Sequence, residues 1–228
     1  MRTFVIGDIH GAYKALAQCL QRSGFDDGKD RLIVLGDVCD GYPEVRRCID
    51  ELLNIQRCDY VIGNHDLWAL EWAVQGIREK AWVDQGGRST IASYGKEGMP
   101  PAHVDFLKNA RPWIESDGKL FVHGGFDPRR PIREQPLEFI VWDRELIRGA
   151  WESAARGKDR RYGGFDEIYL GHTPTHMFGS SEPLHVGNIW DMDTGAGWWG
   201  KLSIMDIATK QCWQSDITPS LYPGVVSR

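Results

Sequence analysis

Apolar positions along the chain fall into two rhythms. Thr3–Ile6, residues 31–35, residues 59–62, Lys119–Val122 and residues 165–170 are short apolar-rich runs, each ending at glycine or at a histidine beside glycine. Such runs, closed by turn residues, predict buried strands. After the first three, apolar residues recur at helical spacing. One set is Ala12, Leu16, Cys19 and Leu20, with Lys14, Gln18 and Gln21 opposite; the others are Val45, Cys48, Ile49 and Leu52, then Leu67, Leu70, Val74 and Ile77. Each predicts a helix packed on one face. Ser23-Gly24 stops the first helix, Asp26-Asp27-Gly28 turns the chain, and Pro43 suits the first position of the second helix. Strand–helix units of this length imply parallel neighbours joined by right-handed crossovers.

The texture then changes. Trp82, Gln85-Gly86-Gly87, Ser89-Thr90, Gly95 and Met99-Pro100-Pro101 make residues 78–116 a string of short helices and turns, read as an excursion near the strand ends. A further helix is expected through Leu146, Ile147 and Ala150. Residues 184–187, 189–193, 202–207 and 211–214 alternate as an antiparallel meander would, and residues 216–228, with Pro219, Pro223 and Gly224, read as a loosely held end. Residues 1–228 are expected to form a single domain of mixed α/β class.

Composition narrows the function. An apolar content of 42% is enough for a substantial core. A net charge of −5 does not suggest an extended nucleic-acid surface. The basic loop 156–161 reads as a solvated loop or as local steering for an anionic substrate. Five cysteines (Cys19, Cys39, Cys48, Cys58, Cys212) lack C-x-x-C spacing, which favours reduced thiols in a cytoplasm over a disulfide framework or zinc knuckle. Cys39 reads as a small strand-end filler. No secretory leader is visible, and no apolar run approaches the ~20 residues of a membrane span.

Candidate chemistry gathers at the strand ends. Asp8 and His10 follow the first strand, Asp37 and Asp40 the second, Asn64, His65 and Asp66 the third; His123 and His172 follow two later ones. Asp8 alone would pass as a helix cap. Its recurrence with the others changes that reading, because adjacent parallel strands bring their carboxyl ends together. Of seven histidines, His10, His65, His123 and His172 share this setting, whereas His103, His176 and His185 read as ordinary surface or core residues. Mixed oxygen and nitrogen ligands suit divalent transition metals, and a metal pair about 3.5–4 Å apart suits attack of water on a phosphoester.

Gly7-Asp8-Ile9-His10-Gly11, Gly36-Asp37-x-x-Asp40, Gly63-Asn64-His65-Asp66, Val122-His123-Gly124-Gly125 and Gly171-His172-Thr173-Pro174 resemble the signature blocks of the calcineurin-like metallophosphoesterases, in order and rough spacing. Within that superfamily the chain is similar to the bacterial and phage phosphoprotein phosphatase group, which includes dinucleoside tetraphosphatases. Trp142-Asp143-Arg144-Glu145, Asp193-Thr194-Gly195-Ala196, and Gln85-Gly86-Gly87-x-x-Thr90 with Ser93-Tyr94 extend the likeness over about residues 3–207. The resemblance implies a mixed β-sandwich flanked by helices. It implies two divalent ions, usually manganese in bacterial relatives, with iron, zinc, cobalt or nickel admissible. Asp8 and His10 would hold one, Asn64, His123 and His172 the other, and Asp37 would bridge them. His65, oriented by Asp40, would be the general acid; Arg144 would grip phosphoryl oxygens. Asp66 reads as structural.

One departure stands out. The family's second block continues Asp-Arg-Gly, whereas here Gly41-Tyr42 follows Asp40, so a phosphate-clamping arginine is missing. Tyr42, Arg46 or a basic residue of the 156–161 loop is the expected substitute. The implied reaction is hydrolysis of a phosphoserine, phosphothreonine or small phosphomonoester by metal-activated water with no phosphoenzyme. The alternatives are hydrolysis of dinucleoside polyphosphates, nucleotides or RNA 5′ ends, with Trp82, Tyr94, Trp113 and Trp142 as stacking candidates, and a non-catalytic phosphate-binding module.

Overall fold

A computed structural model of the chain describes residues 1–158 and 160–227. Asp159, within the basic loop, and Arg228, at the end of the tail, lie outside the described residues. The strands are β1 (Thr3–Ile6), β2 (Arg31–Val34), β3 (Cys58–Tyr60), β4 (Trp113–Ser116), β5 (Lys119–Val122), β6 (Glu167–Leu170), β7 (Leu184–Val186), β8 (Ile189–Asp191), β9 (Ser203–Asp206) and β10 (Cys212–Gln214). The helices are α1 (Tyr13–Ser23), α2 (Val45–Asn54), α3 (Asn64–Gln75), α4 (Lys80–Trp82), α5 (Arg88–Tyr94), α6 (Pro101–Lys108), α7 (Leu137–Trp142), α8 (Glu145–Ala155) and α9 (Thr218–Leu221).

Two five-stranded mixed sheets result, ordered β10-β9-β1-β2-β3 and β4-β5-β6-β8-β7. β1, β2 and β3 run parallel, as do β5, β6 and β8. The strands are apolar on both faces because both faces are covered. Val5, Ile33, Phe121, Tyr169 and Met205 meet between the sheets. Their neighbours turn outward: Phe4, Ile6, Leu32 and Val34 pack under α1 and α2, and Leu120, Val122, Ile168 and Leu170 under α7 and α8. The sheets register through a Phe121–Tyr169 stack, 4.9 Å between centroids. The architecture is the expected mixed β-sandwich flanked by helices. The carboxyl ends of β1, β2, β5 and β6 open on one rim, where a backbone bond of 2.8 Å from Gly171 to His123 ties the last two loops.

Several expectations change. The meander divides: β7 pairs antiparallel with β8 in the second sheet, and β10 with β9 in the first, where β9 also pairs with β1. Alternation recorded half-buried strands but not which sheet each would join. The helix after β3 begins at Asn64, and its buried residues are Asn64, His65, Asp66, Ala69 and Trp72, while Val74 is exposed. Its first turn is occupied by chemistry, so the apolar count followed the wrong stripe. Pro43 lies in a turn two residues before α2. The excursion ends in a strand, β4, paired with β5. The tail is docked: Thr218 and Tyr222 are buried, and the Tyr222 hydroxyl donates to Glu44 at 2.5 Å and accepts from the Lys14 backbone N–H at 2.9 Å. An aromatic ring in a slot outweighs the local proline and glycine content. No helix among the described residues is long and apolar enough to cross a membrane.

Candidate functional site

Asp8, His10, Asp37, Asn64, His65, Arg144 and His172 line one pocket of about 250 Å³ at the shared strand ends, with His123 fully buried beneath it. His10 Nε2 lies 3.8 Å from Asp8 and 3.6 Å from Asp37. His123 Nε2 lies 3.4 Å from the same Asp37 oxygen and 3.0 Å from Asn64 Oδ1. Asp37 thus sits between two groups, Asp8–His10 on one side and His123–His172 on the other, each trio with Asp37 offering ligand atoms within 4.8 Å of one another.

The ring nitrogens are oriented for this. His10 Nδ1 faces the Cys39 carbonyl at 3.0 Å and His123 Nδ1 the Leu35 carbonyl at 2.7 Å. A carbonyl can only accept, so each Nδ1 carries hydrogen and each Nε2 turns to the pocket. His172 Nε2 is buried with no hydrogen-bond partner among the described residues. An orphaned imidazole nitrogen beside clustered carboxylates fits a divalent cation.

The electrostatics agree. Burial raises the Asp8 carboxyl well above its usual range, and Asp193 adds to the push. Burial would also raise Asp37, but His123, His65 and His10 outweigh it and hold that carboxyl well below its usual range. Burial disfavours charge on His123, yet Asp37 and Asp8 push it up to about 10. Burial, His123 and Arg144 push His172 down to about 2. Without metal, a proton on His123 supplies the positive charge that the cluster lacks.

The loops are held in costly conformations. His10, Asp37, Asp40 and His172 have φ of 49°, 51°, 69° and 65°. Non-glycine residues there cost on the order of 1–3 kcal/mol each, and such strain concentrates at functional sites. Asp66 offsets part of it. From the first turn of α3 it accepts the backbone N–H groups of Asp37, Val38, Cys39 and Gly63 at 2.8, 3.0, 3.2 and 2.9 Å, and the Tyr60 hydroxyl at 2.7 Å. This gives the structural reading of Asp66 its content: one buried carboxylate knits the second and third loops.

Beside the cluster, His65 Nδ1 contacts Asp40 Oδ2 at 2.7 Å, leaving Nε2 toward the pocket. Arg144 stands at the start of α8, more than half buried, with no side-chain hydrogen bond or ion pair among the described residues. It is also the only arginine or lysine among the described residues lining the pocket. None of the expected substitutes for the missing arginine joins it. The Tyr42 ring stacks on Tyr222 in the core, Arg46 lies 3.9 Å from Glu97 outside, and Arg160 lines a separate cavity with Tyr162 and Asp127.

Other lining residues had no site role expected from the sequence: Gln85, from the motif that kinks between α4 and α5, His176 and Met177, in the short helical turn Thr175–Phe178, and Trp198 and Trp199, in a turn before β9. His176, expected to be ordinary, lines the pocket, while His103 is tied between Tyr94 and Asp50, and His185 stacks on Trp190. Of the proposed stacking aromatics only Trp142 lines it; Trp82 is buried behind Asp40, Tyr94 is buried against His103, and Trp113 lies on β4.

Two sheets opening on a buried carboxylate–imidazole cluster beside the Arg144 guanidinium define a metal-dependent phosphoesterase. The chain belongs to the calcineurin-like phosphoesterase family, whose model matches residues 1–200. It is 26% identical over 212 residues to serine/threonine-protein phosphatase 1 of Salmonella typhimurium, covering 90% of this chain and 91% of that one. It is 35% identical over 167 residues to the symmetrical bis(5′-nucleosyl)-tetraphosphatase of Dechloromonas aromatica, covering 69% of this chain but 58% of that protein. Among solved structures, one provisionally described as a diadenosine tetraphosphatase superposes with a TM-score of 0.71 at 18% identity, covering 93% and 92% of the two chains; at that identity the likeness speaks for the fold.

Proposed function

We propose that residues 1–228 act as one catalytic domain that hydrolyses a phosphoester at this pocket, on a phosphoserine or phosphothreonine protein or a small phosphomonoester. The observation that supports it best is the convergence of Arg144, His65 and the two ligand groups on a single cavity. Asp8 and His10 would hold one divalent ion, Asn64, His123 and His172 the other, and Asp37, whose Oδ2 faces both His10 and His123, would be shared between them. Manganese is the first candidate. Bound there, the ions supply Lewis acidity and a water of lowered pKa.

The protein's own groups do the rest. Arg144 presents paired N–H donors to the phosphoryl oxygens. His65 gives a proton from Nε2 to the leaving oxygen as the bond from phosphorus to that oxygen breaks, while Asp40 holds Nδ1. All five cysteines are unpaired, with Cys19, Cys39 and Cys48 buried, which supports a reducing, cytoplasmic setting.

A second reading has its own support. Trp142, Trp198 and Trp199 line the same pocket, and bases stack on such rings; together with the tetraphosphatase relatives this favours a dinucleoside polyphosphate. Turnover of phenyl phosphate, whose basic leaving oxygen needs a proton, with and without Mn2+, in wild type and His65→Asn, tests the chemistry. Metal-dependent turnover that falls ~100-fold or more in the variant is expected for a general acid. Turnover indifferent to His65 refutes the acid role. A parallel assay of diadenosine tetraphosphate against a phosphopeptide separates the two substrates.

A further inference from the structure

The stretch Gln85-Gly86-Gly87-x-x-Thr90 has no part in the chemistry above, yet its surroundings are tightly built. Asp40 is fully buried, and among the described residues no lysine or arginine is hydrogen-bonded to it. Its donors come instead from the excursion. Trp82 Nε1 donates to Oδ2 at 2.8 Å, the oxygen that also meets His65 Nδ1 at 2.7 Å. Thr90 Oγ1 donates to Oδ1 at 2.6 Å and accepts the Asp40 backbone N–H at 2.9 Å.

The directions of these bonds are fixed by chemistry. An indole N–H can only donate. The Thr90 oxygen already accepts a backbone N–H, so its single hydrogen goes to Oδ1. Both Asp40 oxygens are thereby committed as acceptors, and the one lone pair left in line with His65 requires a hydrogen on Nδ1. That choice leaves Nε2 as the nitrogen facing the pocket.

The excursion is shaped around this contact. The chain kinks between α4 and α5 at Gln85 and at Gly86, where φ is 108°. A Cβ on Gly86 would lie 2.7 Å from the Gly41 nitrogen, and one on Gly87 would lie 2.5–2.7 Å from atoms of the Trp82 indole. Ser89 Oγ adds a bond to the Gly41 carbonyl at 2.5 Å. Only glycine at 86 and 87 lets the kink close over the second loop and press the indole toward Asp40.

We infer that Trp82 and Thr90 are positioning residues for proton delivery, acting through Asp40 to hold His65 in one orientation. This rests on the reading of His65 as the acid.

The test is a leaving-group comparison in the metal-loaded enzyme. Phenyl phosphate expels a basic oxygen that needs the proton; p-nitrophenyl phosphate, the same ring with a para nitro group, needs it far less. Trp82→Phe and Thr90→Val are expected to lower kcat on phenyl phosphate about tenfold and on p-nitrophenyl phosphate less than about threefold, with KM unchanged. Thr90→Ser, which keeps the hydroxyl, should restore the ratio. In a His65→Asn background Trp82→Phe should add nothing, since coupled groups are not additive. In the metal-free protein, the His65 Nδ1–H resonance should shift in Trp82→Phe.

Equal losses on both substrates, or an undiminished loss in the His65→Asn background, overturn the inference and leave the two residues a packing role. If His65→Asn itself leaves the substrate ratio unchanged, the acid assignment fails first and the positioning role falls with it. A folded Trp82→Phe with unaltered kinetics and resonance overturns the positioning role alone.

Discussion

The floor and the rim of the pocket follow different rules. On the floor, Asp8, Asp37, His123 and His172 are at most 5% exposed, and backbone bonds and Asp66 fix the loops around them. At the rim, Trp142, Met177 and Trp199 are 41%, 49% and 71% exposed and sit on helix ends and loops. The floor holds charges at separations that only a cation or proton reconciles. The rim offers apolar surface to whatever is attached to the phosphorus. Family membership speaks for the first and says little about the second, which is why two kinds of relative with different substrates both match the chain.

The contrast can be broken from below. Asp66→Asn would turn an amide N–H toward donors that now meet a carboxylate oxygen. Leaving several buried N–H groups unsatisfied should destabilise the fold by about 3–5 kcal/mol, lowering the melting temperature by about 10 °C. Thermal unfolding followed by circular dichroism measures it. A loss under ~1 kcal/mol would mean the strained second loop supports itself.

It can be sharpened by pH. His123 must shed its proton to offer Nε2 to a metal, and in the metal-free fold that proton leaves at about 10. Metal affinity should therefore weaken about tenfold per unit as pH falls below that value. The metal-free fold should show the opposite trend. A histidine raised above its unfolded value of about 6.5 contributes stability that is complete below about 6.5 and lost as pH rises toward 10. His172, neutral in the fold throughout that window, adds slope only at its lower edge, where the unfolded imidazole still binds a proton. Calorimetric titration with Mn2+ at several pH values, beside denaturant unfolding without metal, tests both signs; parallel trends would remove His123 as the linked group.

The rim should give the smallest effect. Trp199→Ala is expected to raise KM for diadenosine tetraphosphate about fivefold, the low end of one lost stacking contact, and to leave KM for a small aliphatic monoester unchanged. Equal changes on both substrates would show that the ring shapes the loop and does not meet the substrate.

Much of this was legible in the sequence. The strand–glycine–ligand blocks are local, and adjacency of parallel strands follows from their spacing, so the gathering of Asp8, His10, Asp37, Asn64 and His65 could be expected before any coordinates. What was not legible depends on contacts distant in sequence. Residues 203–206 and 184–191 alternate alike yet enter different sheets. The buried face of α3 is chosen by Asp66 and its backbone partners, not by Leu67 or Leu70. Met177 and Trp199 come from short turns with no periodicity to announce them, and the motif that holds Gln85 did not show that it would face the pocket. Tyr222 is held by Tyr42, Glu44 and Lys14, none of which marks the tail as docked.

The seating of β1 between β2 and β9 also sets a timetable. During synthesis Asp8 and His10 emerge long before β9, and one edge of their strand stays open until residues 203–206 have been made. His172 and Asp193 arrive almost as late. A nascent chain thus carries part of the carboxylate–imidazole cluster while residues 11–202 are added, and completes it in one long-range step. Slowing translation early in the message should matter little to the yield of active protein, whereas truncation shortly before β9 should leave an open sheet edge for chaperones to cover.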